Sequence, residues 1–239
     1  MDVVLLHSGL TESGEWDAVR PRLEQAGYRV LAPDLPGYGS RPLEPGELSL
    51  AEFVLGLDFD RAALVGTSFG GRAALEAALA APERIDRLVL IGSNPFGWGD
   101  EVSAVGAEEE ELFEAGRYDE AAELMVRAWL DGPHRGPDVL PAALRDRVRA
   151  MQKRAYELGA GVDASLLRVE IEPSRVRAPT LVLRGRLDWD DVARAAARLG
   201  AEIPGAREAV IEDAAHLSTM ESPERVAQEL LDFFDAGAT

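Results

Sequence analysis

Short apolar runs alternate with amphipathic stretches along most of the chain, and this alternation limits the possible folds more than any other feature. Residues 3–6, 29–32, 62–65, 88–91, 180–183 and 208–211 are mainly aliphatic, contain β-branched side chains and are flanked by Gly, Pro or Asp. Such runs read as buried strands. Residues 16–26, 71–80, 192–199 and 223–234 place apolar side chains at helical spacing. The last of these starts with Ser222 as an N-cap and Pro223 at the first helical position, which suits a helix start. Strands alternating with helices predict an α/β fold: a mostly parallel sheet of about six strands, covered on both faces by right-handed crossovers. A chain of 239 residues fits one domain with an insertion, large enough to fold without disulfides.

One stretch breaks the alternation. Between residues 95 and 173 there are helical patterns at 108–116, 119–130 and 142–158, a short helical piece near 164–169, and no convincing strand. The expected organisation is a core of residues 1–94 and 174–239 with a helical lid, or cap, of residues 95–173. Ligands in open α/β sheets bind beyond the carboxyl ends of the strands. An insertion leaving from that edge is expected to lie over the site.

Composition removes several function classes. Cysteine is absent, which excludes disulfides, a thiolate nucleophile and cysteine metal sites. A net charge of −18 repels nucleic-acid backbones and anionic membranes, so neither is an expected partner. No apolar run approaches the ~20 residues of a membrane helix. The opening Met1-Asp2-Val3-Val4-Leu5-Leu6 lacks the basic leader and long apolar run of a secretory signal. A cytoplasmic location is therefore expected.

Gly66-Thr67-Ser68-Phe69-Gly70 fits G-x-S-x-G, between a predicted strand and a predicted helix. That context suits a sharp turn presenting a serine hydroxyl at a helix N-terminus. Taken alone, it equally suits a tight turn in which Ser68 caps the helix. A serine nucleophile needs a base. Of His7, His134 and His216, His216 lies between the last strand and the last helix, at the same sheet edge as Ser68. His134 reads as a solvated residue at a helix stop, and His7 begins the loop after the first strand. The base needs an orienting acid, and Asp188, Asp190 and Asp191 follow the fifth predicted strand of the core. Asp191 suits the N-cap of the next helix, and Asp188 holds the G-x-x-D position after Gly185.

The order Ser68, Asp188, His216 is that of the α/β-hydrolase fold. The chain resembles that superfamily almost end to end. His7-Ser8-Gly9-Leu10 with Trp16 resembles its His-Gly loop, and Asp34-Leu35-Pro36-Gly37-Tyr38-Gly39-Ser40 resembles its D-x-x-G-x-G-x turn. Ala81-Pro82-Glu83-Arg84-Ile85, Ala178-Pro179-Thr180-Leu181-Val182 and Ile203-Pro204-Gly205-Ala206 also match. Within the superfamily, Arg127-Ala128-Trp129-Leu130-Asp131-Gly132-Pro133 and Met151-Gln152 resemble lid segments of small-lid esterases and lactonases of the 3-oxoadipate enol-lactonase type. Two departures stand out. The loop reads His7-Ser8-Gly9 where His-Gly is usual, which puts Gly9 at the oxyanion position. The N-terminal hairpin that members carry before the first strand is missing, so six strands are expected where members have eight. The strand near 29–32 would then be an open edge, available for pairing in a homodimer or for covering by another segment.

The resemblance implies acyl transfer from a small-molecule ester or lactone, with no metal and no organic cofactor. Ser68 attacks, His216 takes its proton, Asp188 holds the imidazole, and the Gly9 and Phe69 amides receive the oxyanion. Serine at the elbow argues against dehalogenase and epoxide-hydrolase chemistry, which need a carboxylate there. The pocket is expected to be mainly apolar, lined by Phe69, Phe96, Trp98, Trp129 and Leu217, with Trp98 and Trp129 equally suited to the lid's own core. Arg72 suits either a substrate carboxylate or a structural ion pair. Two alternatives share the pocket: carbon–carbon cleavage of β-diketone type, and a low-turnover binding protein.

Overall fold

A computed structural model describes residues 1–136 and 139–236. The central sheet has six strands: β1 (Asp2–Leu6), β2 (Arg29–Leu31), β4 (Ala62–Thr67), β5 (Ile85–Ile91), β7 (Thr180–Gly185) and β8 (Arg207–Ile211). They are all parallel, in the order β2-β1-β4-β5-β7-β8. Alternate side chains feed two cores, as the two-residue period of a strand requires. Val4, Leu6, Leu64, Leu88, Leu90 and Val182 pack against α2 (Leu50–Leu55), α3 (Phe69–Ala80) and α7 (Asp190–Glu202). Val3, Leu5, Val65, Val89, Ile91 and Leu183 face the opposite layer, with Leu23 of α1 (Arg20–Gln25) and Leu230 and Phe233 of α9 (Pro223–Asp235).

Several expectations are corrected. Residues 164–166 form a strand, β6 (Ala164–Leu166), in place of the expected helical piece. It pairs in parallel with β3 (Gly46–Leu48), as a second, two-stranded sheet. Its partner lies more than a hundred residues away, so local periodicity carries no sign of it. The predicted helix over 16–26 is split into a 3-10 turn (Ser13–Trp16) and α1, with proline in the first turn of α1. Ser222 does not cap α9, because its hydroxyl donates to Asp213 Oδ1 at 3.1 Å. β2 is an edge strand, as expected; it is three residues long, and Arg29 pairs with Asp2 and Asp58. Short, charged edges resist further pairing.

Between β5 and β7 lie α4 (Asp100–Glu114), α5 (Tyr118–Met125), a π-helical segment (Val126–Asp131) and α6 (Ala142–Gly159), followed by β6. Core and insertion are joined by directed bonds. Gly99 N–H donates to Asp191 Oδ2 at 2.9 Å, Trp189 Nε1 to the Ala128 carbonyl at 2.8 Å, and Arg154 Nε to the Gly39 carbonyl at 2.6 Å. Among the described residues, no helix is long and apolar enough to cross a membrane.

Candidate active site

The turn from β4 into α3 is tightly constrained. Ser68 has φ 51° and ψ −110°, the one positive φ outside glycine among the described residues. Such strain persists only where the surroundings impose it. They do so by close approach: a β-carbon at Gly66 would lie 2.2 Å from the Gly70 carbonyl oxygen, and one at Gly70 would lie 2.3 Å from that of Leu6. The Ser68 side chain makes no capping bond. It lines a cavity instead, which removes the helix-cap reading.

His216 and Asp188 meet from two loops. His216 Nδ1–H donates to Asp188 Oδ2 at 2.7 Å, with the two side chains 1% and 2% exposed. Asp188 Oδ1 accepts from the Trp189 amide at 2.8 Å. The loops can close this far because Gly185 has no side chain; a β-carbon there would lie 2.0 Å from the Ala215 carbonyl oxygen. The rival acids are elsewhere. Asp191 accepts from Gly99 and pairs with Arg194, and Asp190 is exposed. His216 Nε2 is buried and has no hydrogen-bond partner among the described residues, Ser68 included. The Trp129 ring, carried by the π-helical segment, covers the imidazole at 4.4 Å between centroids.

The loop after β1 is fixed by two buried side chains. His7 Nε2 accepts from the Leu35 amide at 2.9 Å, so its proton sits on Nδ1 and is donated to the Ser8 carbonyl at 2.8 Å. Burial lowers the His7 pKa, in keeping with this neutral structural role. Glu15 accepts from the Ser8 amide at 2.8 Å, from the Thr11 hydroxyl, and from the Thr219 hydroxyl at 2.8 Å. One carboxylate thus ties the Gly9 loop to the short helix α8 (Ser218–Glu221) that follows His216. Gly9 faces the start of α3: a β-carbon on it would lie 3.5 Å from Phe69 Cβ and 3.5 Å from the Tyr38 hydroxyl. The Phe69 N–H stands at the first position of α3, where no preceding turn offers an acceptor. Tyr38 is set by the turn around Asp34, whose carboxylate accepts from the Ser13 amide and from the Ser40 amide and hydroxyl, each at 2.8 Å. Burial pushes this carboxyl up, but those bonds outweigh it and hold its pKa at about 2. Gly39, at φ +54°, is required there, since a β-carbon would lie 2.4 Å from the carboxyl group.

A cavity of about 800 Å³ opens onto Ser68. Of the five aromatic and aliphatic side chains expected to line it, Phe69, Trp98 and Trp129 do, the two tryptophan rings 5.2 Å apart. Phe96 and Leu217 are not among its lining residues. The Arg198 guanidinium lies 3.8 Å over the Phe96 ring, and Leu217 is buried among Leu10, Leu130 and Val192. Arg72 lines the cavity, yet its Nε is paired with buried Glu76 at 2.8 Å.

The family model that matches this chain, over residues 3–229, is that of the alpha/beta hydrolase family. The chain belongs to that family. The pimeloyl-[acyl-carrier protein] methyl ester esterase of Nitrosomonas europaea is 30% identical over 236 residues, covering 94% of this chain and 92% of its own. A hydrolase from Pseudomonas aeruginosa superposes with a TM-score of 0.78 at 30% identity, over 98% of this chain and 89% of that one. The enol-lactonase from Burkholderia xenovorans gives 0.77 at 24% identity, over 98% and 91%. At that identity the likeness is one of fold.

The structure of this alpha/beta hydrolase adds residues that the sequence did not single out. Glu221 brackets the histidine, accepting from the Ala215 amide at 2.9 Å and the Leu217 amide at 3.1 Å. Burial pushes its carboxyl up, and Arg135 pairs with it. Arg135 also donates to the Leu130 and Asp131 carbonyls at the end of the π-helical segment, so the insertion is anchored on the histidine loop. Glu15 and Glu221 carry no motif. Their one signal is an acidic residue beside each loop, at Glu15-Trp16 and at Glu221 five positions after His216.

Proposed function

We propose that this hydrolase is a serine esterase that cleaves a small carboxylic ester through an acyl-enzyme. The observation that carries the reading is the buried His216–Asp188 pair at 2.7 Å, with the second imidazole nitrogen free as an acceptor. It stands at the same sheet edge as a strained serine at a helix start. Rotation of the Ser68 hydroxyl toward Nε2 would complete the relay, since catalytic bonds often tighten only with substrate present. Nε2 takes the Ser68 proton as Oγ bonds to the carbonyl carbon. The Gly9 and Phe69 amides hold the oxyanion, each donor contributing about 2.7–4 kcal/mol in comparable sites. The imidazolium then protonates the leaving alcohol. A water molecule, deprotonated by His216, releases the acid and restores Ser68.

In this reading residues 95–173 act as the cap over the acyl pocket, with Trp129 shielding the base. A small ester is favoured over one borne by a carrier protein. The net charge is −18, and on α6 Arg145, Arg147, Arg149 and Lys153 are each paired with an acid of the chain. The same charge weighs against dianionic lactones.

The test is a fluorophosphonate label read by mass spectrometry, followed by a panel of p-nitrophenyl esters beside a vinylogous diketone. Ser68 is expected to carry the label, and Ser68→Ala to lower kcat by roughly 10⁴–10⁶. Labelling elsewhere, or an active Ser68→Ala protein, overturns the assignment. Faster cleavage of the diketone moves the enzyme to carbon–carbon chemistry.

A further inference from the structure

The cavity wall contributed by α4 contains an unbalanced charge. Glu109 lines the cavity, and its Oε1 accepts from the Tyr156 hydroxyl at 2.6 Å. Among the described residues it has no ion pair, and the charge acting on it is another acid, Glu110. Arg72 is the one cation among the described lining residues, and it is engaged by Glu76. Glu109 is half-buried, and the more deeply buried carboxylates are answered from within the chain: Glu15 by three donors, Glu76 by Arg72, Asp131 by two bonds from Arg145, Asp188 by His216, and Glu221 by Arg135. A carboxylate withdrawn from water without a positive partner is costly. At Glu109 the open side is the cavity. Aromatic rings stand beside it: Phe113 and Tyr156 both line the cavity, 5.6 Å apart, and Tyr38 lines it near Gly9. A carboxylate among aromatic rings is the chemistry that holds alkylammonium groups.

We propose that the Glu109 end of the cavity is a cation subsite, and that the esters cleaved best carry an alkylammonium group placed to reach it. This deepens the serine-esterase reading and rests on it. Burial pushes the Glu109 carboxyl up, and a bound cation is the partner that would bring it down. Burial also pushes the Tyr38 phenol up to about 12, so it stays neutral, and its contribution beside an ammonium group is its aromatic ring. The overall charge of −18 draws cationic substrates toward the molecule.

Two isosteric pairs isolate the charge. Butyrylcholine against 3,3-dimethylbutyl butyrate puts it on the alcohol side. The p-nitrophenyl ester of 4-(trimethylammonio)butanoate against that of 5,5-dimethylhexanoate puts it on the acyl side. In at least one pair the cation is expected to have a kcat/KM about tenfold higher, and Glu109→Gln is expected to bring that ratio to about one. A ratio of one or less in both pairs, or a ratio that survives Glu109→Gln, overturns the subsite. Calorimetry with phenyltrimethylammonium and neutral tert-butylbenzene reads the same preference without turnover, on wild-type and Glu109→Gln protein. Preferential cation binding that depends on Glu109 supports the subsite even if Ser68 takes no label and no ester is cleaved, which would count against the esterase reading alone. Equal affinities count against the subsite alone.

Discussion

Around His216 the chain answers each buried carboxylate with its own donors, whereas half-buried Glu109 on the cavity wall has, among the described residues, a single phenol. Asp188 has the imidazole and the Trp189 amide, Glu221 has two amides and Arg135, and Glu15 has an amide and two hydroxyls. Among the described residues, Glu109 has Tyr156 alone. In the proposed mechanism the histidine loops hold their geometry before substrate arrives, since preorganised dipoles cost nothing to reorient during reaction. A binding end can leave a group open for the ligand to satisfy.

The largest effect that would break this contrast lies in the acid. Asp188→Asn is expected to lower kcat by about 10⁴, because the wrong imidazole tautomer is then held. Asp190→Asn and Asp191→Asn are expected to stay within about tenfold, since neither touches His216. Steady-state kinetics on the three variants checks this, and an equal loss in Asp191→Asn would refute the choice of acid.

Removing an anchor behind the loops is expected to cost less activity and more stability. Glu15→Val leaves the Ser8 amide and two hydroxyls without their acceptor, at roughly 1–3 kcal/mol for each buried group left unmet. Small displacements of a catalytic loop cost up to about 10² in rate. Urea unfolding should register the first effect, and kcat at little-changed KM the second. Glu15→Gln, which keeps an acceptor for Ser8, should recover most of both.

Acid should loosen the Tyr38 turn only at low pH, well below the range in which Glu109 titrates. Asp34 is held at about 2, below its ordinary 3.8. Its contribution to stability is therefore complete above 3.8 and is lost as pH falls through about 2. The advantage of wild type over Asp34→Ala in thermal unfolding should shrink over that window.

Glu109 should show the opposite sign, as the smallest effect. Its carboxyl is raised by burial, so the favourable protonated form is complete below its ordinary 4.5 and is lost as pH rises through the raised value. Glu109→Gln should match wild type at the acid end and gain in melting temperature above it. A gain that does not vary with pH would remove the charge argument.

Much of this was legible locally. The six sheet strands could be read because buried parallel strands are short aliphatic runs, and no distant partner is needed to recognise one. The elbow could be read because glycines at 66 and 70 mark where backbones approach within van der Waals distance. The anchors could not. Glu15 and Thr219 are 204 positions apart, and no spacing rule connects them. The β3–β6 pair escaped for the same reason, and so did the packing of Phe96 against the core beneath Arg198.

By itself, then, the sequence determined the layered α/β sheet, the strained serine between a strand and a helix, and the order of serine, acid and histidine, because these follow from periodicity and local sterics. Tertiary structure alone decided which glutamates hold the loops and which is left facing the cavity, whereas Asp188 was already singled out by its G-x-x-D position. Those outcomes depend on burial and on partners brought together from distant parts of the chain, and the cost of a buried charge is set by what surrounds it in space.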